Sequence, residues 1–171
     1  ATISEEDRHR GPQPYSLPDF AHVGYNYRMT DLQGALGLVQ LGRLDGFIAE
    51  RNAAADLYRE RLADLPWLRT PRIPDGYVHG WQAYVCYVDP GRAPVPRNPL
   101  MKFLQDERGV STRPGTHAVH TLGVYRERFG YTDDDFPGAR DCHANAIALP
   151  LHNRMTADDY TRVIDALHAV R

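Results

Sequence analysis

The 171-residue chain holds a single lysine, Lys102, among 20 basic residues; the others are arginines. Any chemistry that needs a side-chain amine therefore rests on Lys102 or on another polypeptide. Cysteine is nearly as scarce. Cys86 and Cys142 show no motif spacing, which argues against a disulfide scaffold and for reduced thiols in a cytoplasmic protein. No apolar run approaches the roughly 18 residues of a membrane span, so no membrane partner is expected. A net charge of −2 leaves no basic footprint for nucleic acid. P-loop, Rossmann glycine fingerprint and nucleophile elbow are all missing, as is any internal repeat. The opening "ATISEEDRHRG" is polar and acidic rather than signal-like.

What is present is an ordinary globular mixture, 42% apolar and 25% charged, long enough for one domain with a modest core. Residues 1–23 carry three prolines and no periodicity. They read as an extended lead-in, and a chain that starts this way is expected to be a piece of something longer. Thr30 followed by Gln33 has capping-box spacing. From there Leu32, Leu36, Val39, Leu44, Phe47 or Ile48, Ala55, Tyr58, Leu62 and Leu65 recur at helical steps up to Pro66. Such a helix is long for a globular domain, which predicts a break near Gly42 or Gly46. Arg43, Glu50, Arg51, Arg59 and Glu60 read as its solvated face.

Residues 66–79 form a Pro/Gly-rich connection. "WQAYVCYV", Trp81–Val88, has strand composition. Asn98 and Pro99 fit the N-cap and first position of a short helix closed by Gly109. "VSTRP" is a short strand stopping at Pro114, "LGVYRERFG" and "GARDCHANA" are short helices, and "AIALPL" is a strand. Thr156 caps a last amphipathic helix running to Val170, with Asp158 and Asp159 favouring its dipole. Two long helices and three short strands make an α+β domain or subdomain.

Three stretches have the chemistry of a site. In "GYNYRMTDLQ", Tyr25, Asn26, Tyr27 and Arg28 precede a helix N-terminus. An amide and a guanidinium there can hold a phosphate or carboxylate; an aromatic turn that staples the helix is the plainer alternative. In "TRPGTHAVH", His117 and His120 stand with Arg113 and Thr116. A zinc site lacks a third ligand nearby, and Pro114-Gly115 favours a loop, so a polar, substrate-contacting loop is the better reading. In "ALPLHNRMT", His152 and Asn153 read as turn formers.

These stretches, in this order, resemble the C-terminal domain of the DegT/StrS family of sugar aminotransferases, fold-type-I enzymes that use pyridoxal 5′-phosphate (PLP). The resemblance rests on Gly24, Asn26, Tyr27, Arg28 and Met29, then Gln40-Leu41, then Arg51, Ala55 and Tyr58. It continues through "GVSTRPGTHAVHTLGVYRERFG", "DFPGARD" and "IALPLHNRMTADDYTRVIDAL", and covers nearly the whole chain from about residue 10.

The resemblance implies a small C-terminal domain, residues 30–171, with a long N-terminal helix, a short antiparallel sheet and a C-terminal helix. Residues 1–29 would be the lead-in from a large PLP-binding domain that this chain lacks. It implies a homodimer in which Asn26 reaches the PLP phosphate of the partner subunit. Tyr27 and Arg28 would shape that pocket, and His117 or His120 would face the sugar. The substrates implied are an amino acid donor and a keto-sugar, nucleotide-linked. The cofactor's lysine is not in this chain. Lys102, beside Phe103 and Leu104 on an amphipathic helix, reads as a snorkelling surface residue, so the chain alone is expected to carry no catalytic residue. A stand-alone dimerisation or regulatory module, or a sensor built on the same fold, is the rival expectation.

Overall fold

The computed structural model describes residue 25 and residues 27–170. It divides into two compact units at Leu41/Gly42.

The first unit contains helix α1, Asp31–Leu41. Its start is the expected capping box: the Gln33 N–H donates to Thr30 Oγ1 at 3.3 Å, and the Thr30 N–H donates to Gln33 Oε1 at 3.0 Å. The helix stops at the predicted break, and α2, Leu44–Arg61, begins after it. The apolar stripe expected to be buried along both helices is buried only in its second half. Ala55, Tyr58 and Leu62 are in the core, whereas Leu32 is 85% exposed and Leu36 and Val39 are exposed with it. Periodicity marks a face to be covered but does not say by what.

The second unit is an antiparallel sheet covered by helices. Its strands are β1 (Leu68–Arg69), β2 (Tyr84–Val88), β3 (Arg113–Pro114) and β4 (Ala146–Leu149), in the order β1-β2-β4-β3. Tyr84 pairs with Leu149 and Tyr87 with Ala146; Arg113 pairs with Ala148. Three strands were expected. The fourth, β1, hides in the Pro/Gly-rich connection because two residues leave no alternation to read; it pairs with Tyr87 and Val88. Helices α3 (Arg97–Arg108), α4 (Gly123–Phe129), α5 (Pro137–Asn145) and α6 (Ala157–His168) complete the unit.

The core gathers Tyr58 and Leu62 of α2, Leu100 and Leu104 of α3, Ile147 of β4 and Ile164 and Leu167 of α6. The Tyr58 ring lies 5.0 Å from Tyr84 and 5.4 Å, edge-on, from Tyr160. Its hydroxyl donates to the Pro150 carbonyl at 2.8 Å, so this fully buried side chain keeps its polar end satisfied. Burial above all pushes this phenol and the Cys86 thiol far up from their ordinary values. Cys142 is exposed on α5. Among the described residues no helix is long and apolar enough to cross a membrane.

Three local expectations change. The strand predicted from Trp81 starts only at Tyr84, because Trp81 has φ 45°, outside the strand region. Hydrogen bonds hold it there: its indole N–H donates to Asn52 Oδ1 at 2.9 Å, its backbone N–H to His79 Nδ1 at 2.9 Å, and its carbonyl accepts from Arg51 Nη1 at 2.7 Å. Arg51 is therefore a half-buried clasp, not a solvated charge; its Nε also donates to Asn153 Oδ1 at 2.9 Å. Likewise α3 starts at Arg97 with Pro96 as its cap, ahead of the expected Asn98. Arg97 is buried, and its inward side chain fixes the first turn. Gly109, at φ 64°, ends α3 as predicted, the Val110 N–H returning to the Leu104 carbonyl.

Thr156 and Asp159 form the capping box of α6. At its other end both ring nitrogens of His168 face acceptors: Nδ1 lies 2.9 Å from the Ile164 carbonyl and Nε2 2.9 Å from Asp64 Oδ1. Only the imidazolium donates to both, so the Ile164 carbonyl, and then Asp64, raise the His168 pKa, while the bond from His168 lowers that of Asp64. The stabilisation from a raised histidine is complete below its ordinary 6.5 and is lost as pH rises through the folded value. That from a lowered aspartate is complete above its ordinary 3.8 and is lost as pH falls through the folded value. The difference in urea midpoint between the natural chain and His168→Ala should therefore be largest between pH 3.8 and 6.5 and shrink on both sides. A difference constant with pH would refute the ion pair.

Candidate substrate pocket at the histidine loop

The loop that carries His117 and His120 leaves the sheet at Gly115. There the chain passes so close to β2 and β4 that a Cβ would sit 2.6 Å from Val85 Cγ1 and 2.8 Å from Ala146 Cβ. Only glycine fits, and its N–H donates to the Ala146 carbonyl at 2.8 Å. Three residues on, Ala118 is fully buried. Its N–H donates to His143 Nδ1 at 3.3 Å, and its carbonyl accepts from the Thr121 hydroxyl at 2.7 Å and the Thr121 N–H at 2.9 Å. A short 3-10 turn, Val119–Thr121, then leads into α4.

Held this way, the loop brings both predicted histidines to one open pocket of about 460 Å3, shared with Tyr125, Phe129, Tyr131 and Phe136. Tyr125 and Phe129 stack at 6.1 Å, Phe129 and Tyr131 at 5.5 Å, and Tyr131 meets Phe136 edge-on at 5.3 Å. The Phe136 ring lies 5.0 Å from the His120 imidazole. His120 is 5% exposed, and its buried Nε2 has no hydrogen-bond partner among the described residues. A buried imidazole nitrogen without a partner is costly in a purely structural residue. His117 is exposed at the rim, its ring 5.9 Å from that of His143. A concave, largely apolar site with a few convergent polar groups is the usual form of a small-molecule pocket. Among the described residues no group of three His, Cys, Asp or Glu could hold a metal ion.

The other predicted residues belong to the first unit. Tyr25 and Tyr27 are exposed, with rings 5.5 Å apart and 30° between planes. Arg28 is exposed as well. Asn26, the expected phosphate contact, lies outside the described residues. Lys102 projects from α3 into solvent and pairs with Asp106 one turn on. That carboxylate raises its pKa, the opposite of what a Schiff-base lysine needs. Lys102, the one lysine of this sequence, thus does not fit covalent attachment of PLP.

Several residues of the site escaped the sequence reading. The aromatic wall was visible only as recurring aromatics in "VYRERFGYTDDDF". His143 was one scattered histidine among several, and Arg97 was hidden by the helix start assigned after it.

Solved structures of the same fold include TlmJ, an aminotransferase from Streptoalloteichus hindustanus, at a TM-score of 0.75 and 26% identity over 88% of this chain and 39% of that one. DesV of S. venezuelae, solved in complex with a ketimine intermediate, matches at 0.76 and 25% identity over 91% of this chain and 39% of that one. The spore coat polysaccharide biosynthesis protein SpsC of Bacillus subtilis (strain 168) is 37% identical over 147 residues, 86% of this chain and 38% of SpsC. The α+β fold is the one shared with a portion of these aminotransferase structures. The chain belongs to the DegT/DnrJ/EryC1/StrS aminotransferase family, whose model matches residues 5–168. It spans about two-fifths of the length of these relatives.

Two predictions follow from the geometry. Gly115→Ala should lower stability by about 1–3 kcal/mol through overpacking against Val85 and Ala146, read as a fall in the urea midpoint; an unchanged midpoint would contradict the close approach. Titrating PLP into this chain should produce no stoichiometric Schiff-base absorbance. A band that disappears in Lys102→Ala would show that Lys102 does bind the cofactor.

Proposed function

We propose that this chain is the C-terminal part of a PLP-dependent aminotransferase that moves an amino group from an amino acid to a nucleotide-linked keto-sugar. In this reading residues 1–29 lead in from a large PLP-binding domain and residues 30–171 form the small domain. The enzyme is a cytoplasmic homodimer. The observation that carries the reading is the pocket under the histidine loop. Its aromatic faces suit the apolar faces of a sugar ring, and two imidazoles beside them suit its hydroxyl or carbonyl oxygens. The name of SpsC points to polysaccharide building, and the ketimine in DesV points to imine chemistry.

PLP, when bound, supplies the electron sink. Its lysine belongs to the large domain, and this chain by itself is inactive. Asn26 donates its amide N–H to the PLP phosphate of the partner subunit. Tyr27 and Arg28 line that pocket, and His117 and His120 orient the sugar. One observation favours a second reading, a non-catalytic dimerisation or regulatory module: the exposed Leu32, Leu36 and Val39 of α1 form a face suited to association.

The test uses the enzyme with its large domain. Asn26→Ala removes one charge-assisted hydrogen bond, roughly 1.5–3 kcal/mol, so PLP affinity should fall about ten- to a hundredfold with the unfolding midpoint unchanged. Mixing this variant with one lacking the large-domain lysine should restore partial activity, since one site per mixed dimer is intact. If mixed dimers form without activity while Asn26→Ala alone weakens PLP binding, Asn26 acts within its own subunit. If PLP affinity does not change at all, the phosphate role is wrong.

A further inference from the structure

The histidine loop is held partly by its own Thr121 and partly from outside. Of the contacts that fix it, those at Gly115 and Ala118 run to the junction of α5 and β4. Gly115 bonds and packs against Ala146. The Ala118 N–H is taken by the His143 imidazole, and His143 is itself held from behind. The buried Arg97 guanidinium donates through Nη2 to the His143 carbonyl at 2.9 Å and through Nη1 to the Ala146 carbonyl at 3.4 Å. Arg97 thereby ties down the last turn of α5, whose carbonyls lack intrahelical partners, and the backbone from which the His143 ring projects.

We propose that His143 is a positioning residue for the substrate loop. Its Nδ1 lone pair, set in place by Arg97, captures the Ala118 amide and fixes the directions in which His117 and His120 leave the chain. Two features favour this role over plain packing. Ala118 lies one residue from His117 and two from His120, and its buried amide would be left without a partner if His143 withdrew. The bond also requires a particular tautomer: with Nδ1 accepting, the ring proton of neutral His143 sits on Nε2. An ordinary core residue makes no such demand. The functional meaning of the proposal rests on the sugar-binding reading of the loop, but the positioning itself does not.

The experiment is amide hydrogen exchange, read by mass spectrometry on peptides spanning residues 116–122, in the natural protein without ligand. Three variants are compared. His143→Leu keeps bulk and removes the acceptor. His143→Asn puts an amide oxygen where Nδ1 stands. His143→Gln puts its amide nearer the Nε2 end and does not replace the Nδ1 acceptor. Loss of one hydrogen bond worth about 1 kcal/mol corresponds to about fivefold faster exchange. We expect that acceleration, confined to this segment, in the Leu and Gln variants, and exchange close to the natural rate in the Asn variant. Should the Leu variant fail to fold, the Asn and Gln pair carries the same contrast. Equal protection in Asn and Gln, or acceleration spread alike over β4 and α6, overturns the proposal and leaves His143 a packing residue. Since no ligand enters the measurement, a failure here leaves the sugar-binding reading standing, and a failure to bind sugar nucleotide leaves the positioning result standing.

Discussion

A buried arginine holds the working end of this unit together. Arg97 is 7% exposed, and burial draws its guanidinium below its ordinary pKa. Its Nε finds no partner among the described residues. A charge taken from water without a carboxylate is unfavourable unless several hydrogen bonds satisfy it. Here the carbonyls of His143 and Ala146 do most of that, and both belong to the point where a helix ends and the central strand begins. The same Ala146 carbonyl accepts from Gly115. One guanidinium thus sets the start of α3, the end of α5, the entry of β4 and the departure of the histidine loop.

The parts of the fold legible in the sequence are those whose cause is local. Thr30 with Gln33, and Thr156 as a cap with Asp158 and Asp159 in the first turn, announce their helices because such signals are complete within four residues. Gly109 closes α3 for a similarly local reason. The break after Leu41 could be anticipated from helix length and the glycines. What could not be read depends on distant partners. Arg51 has the sequence look of a surface charge until Trp81 and Asn153 are brought to it. Trp81 has strand composition, yet it is bent out of the strand by Asn52, His79 and Arg51. Leu32, Leu36 and Val39 have the spacing of a core stripe but no cover among the described residues.

The site divides in the same way. "TRPGTHAVH" could be recognised as a strand end followed by a loop because Pro114-Gly115 stops regular pairing there. Its pocket could not, since Tyr125, Phe129, Tyr131 and Phe136 acquire a common direction only after α4 and the following turn have folded. His143 is the clearest case: nothing in "GARDCHANA" says that its ring will accept a backbone amide 25 residues earlier.

The two cysteines add an asymmetry of a different kind. Cys86 sits in the middle of β2, buried, its thiol pushed far from ionisation, while Cys142 is exposed on α5, next in sequence to His143. Thiol reagents attack the thiolate and need access, so under native conditions they discriminate between the two by environment alone. Of the two thiols in this chain, a fluorophore or spin label would attach at Cys142, beside the residue that holds the histidine loop. The molecule thus carries a built-in handle for watching that loop, and its second thiol becomes available only when the core opens.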